Sequence, residues 1–72
     1  MNVVLGTCVD SIKGYSVYTL CVPDKYGKCI HVGYAIVGPN GEWIEEFSEY
    51  ELDEAIDRLK EIAAQRCDIS PN

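Results

Sequence analysis

GEWIEEFSEYELDEAIDRLKEIAAQRC, residues 41–67, is the stretch whose reading decides the fold. It reads as a short strand over 42–47, a cap, and one amphipathic helix over 49–66. Leu52, Ala55, Ile56, Leu59, Ile62 and Ala63 recur at spacings of three and four, so they form a single apolar stripe that a second layer must cover. Ser48 followed by Glu51 predicts a capping box, in which hydroxyl and carboxylate each take a free backbone N–H of the first turn. The covering layer has to come from residues 1–41.

That segment reads as three strands. NVVLGTCV, residues 2–9, is apolar and β-branched, and Asp10-Ser11 and Lys13-Gly14 end it. YSVYTLCV, 15–22, stops at Pro23-Asp24, with Gly27 closing the turn. CIHVGYAIV, 29–37, leads into Gly38-Pro39-Asn40-Gly41, a hairpin turn in which Asn40 and Gly41 are expected to supply the positive φ angles. Turns this short force antiparallel neighbours, because a parallel return needs a crossover of about a dozen residues. The prediction is an α+β fold: a four-stranded antiparallel β-meander with one C-terminal amphipathic α-helix packed on one face, forming a single domain over 1–72.

Side-chain alternation leaves no clean wet face. Ile30, Val32, Tyr34 and Ile36 point one way, and Cys29, His31, Gly33, Ala35 and Val37 the other. The small Gly33 and Ala35 would let a helix approach closely. The remaining face, represented by Tyr18, Val32 and Tyr34, predicts either a homodimer or partner surface, or a strongly twisted sheet that wraps the helix.

The chain is 72 residues long, with 47% hydrophobic and 25% charged residues, which places it among ordinary globular domains. It holds no apolar run near the ~20 residues that cross a bilayer, and MNVVLGTCVDSIKG lacks the basic start and long apolar core of a signal peptide. A cytoplasmic location is expected, without membrane contact. The net charge of −6 is unevenly placed: residues 1–41 carry Asp10 and Asp24 against Lys13, Lys25 and Lys28, whereas residues 42–72 carry 10 acids against Arg58, Lys60 and Arg66. An acidic surface repels phosphate backbones, so direct nucleic-acid binding is disfavoured and a basic protein surface is the natural complement.

Four cysteines and His31 are the residues capable of metal or redox chemistry. Cys21, Cys29 and His31, with Cys8 or Cys67 as a fourth ligand, could frame zinc, but C-x7-C-x-H matches no ligand knuckle and no C-x2-C is present. A Cys21–Cys29 disulfide is geometrically conceivable, yet a reducing cytosol would not keep it. Buried thiols acting as small hydrophobes are the expected reading, with no metal and no cofactor. Catalysis finds no footing either: His31 has no evident orienting carboxylate, adjacent Glu45 and Glu46 should face opposite ways, and Gly38–Gly41 is explained by the turn.

What remains is the outer surface of the helix. Glu49, Asp53, Asp57 and Glu61 form an i, i+4 row, and like charges at that spacing cost a helix ~0.2–0.5 kcal/mol per pair, so local stability did not select it. The rise of ~6 Å per four residues spaces the carboxylates in a way that suits a nucleic-acid mimic. Arg58 is expected to pair with Glu54 and Glu61, and Lys60 with Asp57. Glu45, with Trp43 and Tyr50 as large aromatics beside the helix start, completes the candidate partner-binding set.

In size, charge and layout the chain resembles small phage and mobile-element proteins that inhibit host defence, anti-CRISPR proteins among them. That resemblance implies a non-catalytic inhibitor that offers acids to a basic, nucleic-acid-binding complex. Val22-Pro23-Asp24, Gly27-Lys28-Cys29 and Asp53-Glu54-Ala55 also resemble elements of HicB-type antitoxins, which would imply a self-associating module. Against that second resemblance, an extra strand and hairpin, Tyr34 to Phe47, precede the helix here.

Overall fold

The computed structural model describes residues 3–68; the side chains of Arg66, Cys67 and Asp68 lie outside that description, and with them the place of Cys67 as a zinc ligand. Four strands, β1 (Val4–Ile12), β2 (Tyr15–Pro23), β3 (Cys29–Val37) and β4 (Trp43–Ser48), precede one helix, α1 (Leu52–Asp68). The strands form one sheet in the order β1-β2-β3-β4, each pair antiparallel. The expected α+β meander is therefore the observed fold.

Three tight connections set this topology. Ile12 pairs with Tyr15 across a two-residue turn in which Lys13 (φ 53°) and Gly14 (φ 88°) both take the left-handed conformation, the geometry that matches strand twist. This corrects the expected end of β1 at Val9. The strand runs through Asp10-Ser11 because Ile12 packs against the core and the Ser16 hydroxyl donates to Ser11 Oγ at 3.2 Å. The β2–β3 and β3–β4 loops share one construction. Gly27 N–H donates to Asp24 C=O, and Gly41 N–H to Gly38 C=O, with Gly27 and Gly41 at φ 85° and 84°. Only Gly41 supplies the left-handed residue of the second loop; Asn40 does not.

The helix begins at Leu52 rather than at residue 49. Glu51 C=O takes the first helical bond, from Ala55 N–H at 2.9 Å, and a turn closed by Glu51 N–H to Ser48 C=O precedes it. The capping box is half as expected: Glu51 Oε1 accepts from Ser48 N–H at 2.9 Å, whereas Ser48 Oγ accepts from Tyr50 N–H at 3.4 Å rather than from Glu51. Glu51→Ala should cost about 1 kcal/mol in a urea denaturation, and Glu51→Gln, which can still accept that bond, much less.

The helix lies on the face of Tyr15, Val17, Tyr34 and Ile36, with Ala55, Leu59 and Ile62 completing the buried cluster and Ile12, Phe47, Leu52 and Ile56 packed around it. The face expected to allow close approach, that of Gly33 and Ala35, is the opposite one. Bulky side chains win because they fill the interlayer space and leave no void. Tyr34 accordingly belongs to the core and not to an exposed second face, while Tyr18, paired with Ala35, does lie on that second face.

The sheet is longer than its cover. The molecule measures 53 × 23 × 17 Å with a radius of gyration of 13.5 Å, against about 11 Å for a compact domain of this length. Residues 3–9 and 25–32 are exposed throughout, and none of 3–9 or 20–33 contributes to the helix-packed cluster. These residues form an uncovered three-stranded arm that carries Val3, Val4, Leu5, Val9, Ile30 and Val32 at its surface. Two bulges in β1 and one between Leu20 and Cys21 break the regular alternation there, which is why simple period-two reading misassigned the faces.

Candidate functional site

The acidic surface is built where β4 turns into α1. A short turn joins strand and helix, α1 runs back over the sheet and meets all four strands, and Arg58 ties it to β4. Its Nε donates to Glu45 Oε1 at 2.8 Å and its Nη1 to Glu61 Oε1 at 2.9 Å. Hydrogen bonding to Glu45, then to Glu61, raises the Arg58 guanidinium above its ordinary pKa, so it stays charged at every working pH. Glu45 can reach Arg58 because it shares the helix-bearing face with its partner Ile36, while Glu46, opposite Ala35, faces the other way. The two adjacent carboxylates diverge, as their spacing predicts.

Of the row read from the sequence, Asp53, Asp57 and Glu61 stand exposed on α1, and Glu49 is exposed in the preceding turn. Glu49 therefore does not continue the helical rise. Glu61 is tied to Arg58, whereas Glu49, Asp53 and Asp57 make no ion pair among the described residues. The expected Arg58–Glu54 and Lys60–Asp57 pairs are absent among the described residues; Arg58 turns to Glu45 instead, an interaction across elements that helical spacing could not show.

Tyr50, 88% exposed, sits beside Glu49 at the helix start. Trp43 does not. It occupies the opposite end of β4, paired with Val37 on the face away from the helix, so the two aromatics do not form one anchor with the acids. A bulge between Ile36 and Val37 turns Trp43 outward, and no composition signal announces it.

Cys21 and Cys29 are joined as a disulfide, with Cα atoms 5.3 Å apart. This overturns the expectation of free structural thiols and removes both sulfurs from any zinc set. His31 Nε2 lies 2.9 Å from Gly33 O, and its ring meets Tyr34 edge-on at 4.8 Å, a packed role. Cys8 is a free, exposed thiol. No helix among the described residues is long and apolar enough to cross a membrane. No protein-family model, no curated protein and no solved structure matches this chain.

Proposed function

We propose that the protein is a small non-catalytic binding protein that presents its acidic helix face to a basic, nucleic-acid-binding partner and blocks it, in the manner of phage-encoded anti-defence proteins, within the cytoplasm. The observation that supports this reading is the set Asp53 and Asp57, exposed on α1, and Glu49, exposed in the turn before it with Tyr50 beside it, none in an ion pair among the described residues. Desolvating a carboxylate that already has a cation partner gains little, whereas unpaired acids keep their full field for an incoming surface. Association should accordingly slow as salt rises past the point where the Debye length falls below about 8 Å, with dissociation much less affected, as measured by surface kinetics. Glu61 is a poor probe of the claim, since reversing it would strand Arg58.

The rival reading, a self-associating HicB-like antitoxin or structural module, is favoured by the uncovered arm. Val4, Leu5 and Val9 lie on β1, with Val3 just before it, and the first charged residue of this edge strand is Asp10, whereas the opposite edge, β4, is shorter and carries Glu45 and Glu46. If that reading is right, the protein sediments as a dimer at micromolar concentration and Val4→Lys yields monomers; a monomer throughout the accessible range removes it.

A further inference from the structure

Nothing in the acidic face requires a disulfide, and the position of Cys21–Cys29 points elsewhere. The bond bridges β2 and β3 at eight residues' separation within the arm that α1 leaves uncovered. What else holds this end is slight. β1 pairs with β2 there at Val4–Cys21 and Leu5–Leu20 before a bulge, and β3 pairs with β2 at four positions, Leu20–Gly33, Cys21–His31, Val22–Ile30 and Pro23–Cys29. Further ties are the Asp24 turn, where Oδ1 accepts from Tyr26 and Lys28 N–H at 2.8 and 2.9 Å and Asp24 N–H donates to Lys28 C=O at 2.7 Å, Thr7 N–H donating to Thr19 Oγ1 at 2.8 Å, and the His31 ring, 2.9 Å from Gly33 O and edge-on to Tyr34. The two cysteines differ in access. Cys29 is exposed, while Cys21 is 7% exposed, its Sγ close beside Gly6 of β1, where an added Cβ would lie 3.7 Å from it.

We infer that Cys21–Cys29 is a redox clasp, and that a low-molecular-weight thiol such as glutathione opens the arm while leaving the helix-packed core folded. The thiolate of the reductant attacks Cys29 Sγ, that of the exposed cysteine; the disulfide breaks and Cys21 leaves as a thiolate that takes up a proton. A second reductant thiolate attacks the sulfur of the first reductant in the mixed disulfide, releasing Cys29, which is protonated in turn. Two reductant thiols are oxidised to one disulfide, and the protein gains two thiols. Freed of the cross-link, the arm is held by a few strand pairs at a sheet end with no second layer, the kind of segment that opens locally. Cys8 is not the internal nucleophile. It pairs with Tyr18 on the sheet face away from the helix, whereas Cys21 alternates to the other face. Oxidising surroundings thus keep the arm's strands paired and reducing surroundings let them part, which makes the pairing of the arm a readout of the compartment.

The test is hydrogen–deuterium exchange on the full chain before and after dithiothreitol, read over segments 3–9 and 20–33 of the arm and 55–65 of the helix. On reduction the arm should lose protection by roughly 50-fold, the factor expected for releasing a loop of this size, while the helix remains the slowest-exchanging segment and keeps its circular-dichroism signal. The Cys21→Ser, Cys29→Ser double variant should show the reduced pattern with or without reductant, and Cys8→Ser should respond as the parent chain does. Arm protection unchanged by reduction would overturn the inference. So would simultaneous loss of arm and helix protection together with the helical signal, which would make the bond a staple of the whole fold, and so would a Cys8→Ser chain that no longer responds.

Discussion

Leu59→Ala is expected to destabilise the protein by about 3–4 kcal/mol, the largest effect of any single substitution considered for this chain. Leu59 is 0% exposed at the centre of the helix stripe, within a cluster formed by Tyr15, Val17, Tyr34 and Ile36 from the sheet. Truncation removes the apolar contacts and leaves a cavity that a twisted sheet, pinned by its hairpins, cannot close. A domain of this length has about 4–11 kcal/mol of stability in all, so the variant should be close to half unfolded at moderate temperature if the parent lies near the lower bound. Urea denaturation followed at the helical signal measures the loss, with exposed Lys60→Ala as a control expected to stay within about 0.5 kcal/mol. A cost below about 1 kcal/mol for Leu59→Ala would mean that α1 does not pack on this face.

Gly33→Ala should cost about 2 kcal/mol, for a different reason. Gly33 pairs with Leu20 on one side and Ser48 on the other, and a Cβ there would run into the carbonyl oxygen of Phe47 and lie 3.6 Å from Ser48 Cα. Those are backbone atoms of β4, which cannot rotate aside as a flexible side chain can. The strand must move outward, taking with it Phe47, which packs on the core, and Ser48, which accepts the bond that opens the turn into α1. The variant should therefore lose stability and disturb the helix start together, visible as reduced protection at 51–55. Unchanged stability would show that β4 is not held against β3 as described.

How much of this was legible in the sequence depends on which physical rule governs each residue. The apolar stripe Leu52 to Ala63 and the Pro/Gly/Asp turn residues are local signals, and they placed every element and the antiparallel order. Strand ends were less legible, because Asp10 and Ser11 are turn formers by propensity but strand residues once Ile12 has a core to join. The helix-bearing face could not be read, since both faces are apolar and the choice is made by volume. Bulges beside Leu20 and Ile36 reversed expectations at Val32 and Trp43, and one inserted residue leaves no composition trace. At the acidic face the sequence located Glu49, Asp53, Asp57 and Glu61 on the outside. It could not tell which were already neutralised, because the partner of Arg58 that matters most, Glu45, is 13 residues away and comes from another element. Hairpin geometry allows the Cys21–Cys29 bond, but the sequence does not state the redox compartment that decides whether it forms.

The central claim, that unpaired acids on the helix side of the molecule form the contact, is tested most directly by reversing two of them that hold nothing together. Glu49 lies outside the helix and Asp57 in its second turn, so neither change removes a described ion pair. The measurement is capture of proteins from a host lysate at about 0.15 M salt on wild-type protein and on the Glu49→Lys, Asp57→Lys variant, with circular dichroism confirming equal folding. A basic nucleic-acid-binding protein is expected to be retained by the wild type, displaced by added oligonucleotide, and bound at least about tenfold more weakly by the variant. Equal retention of the same partner by both proteins, undisturbed by oligonucleotide, would contradict it.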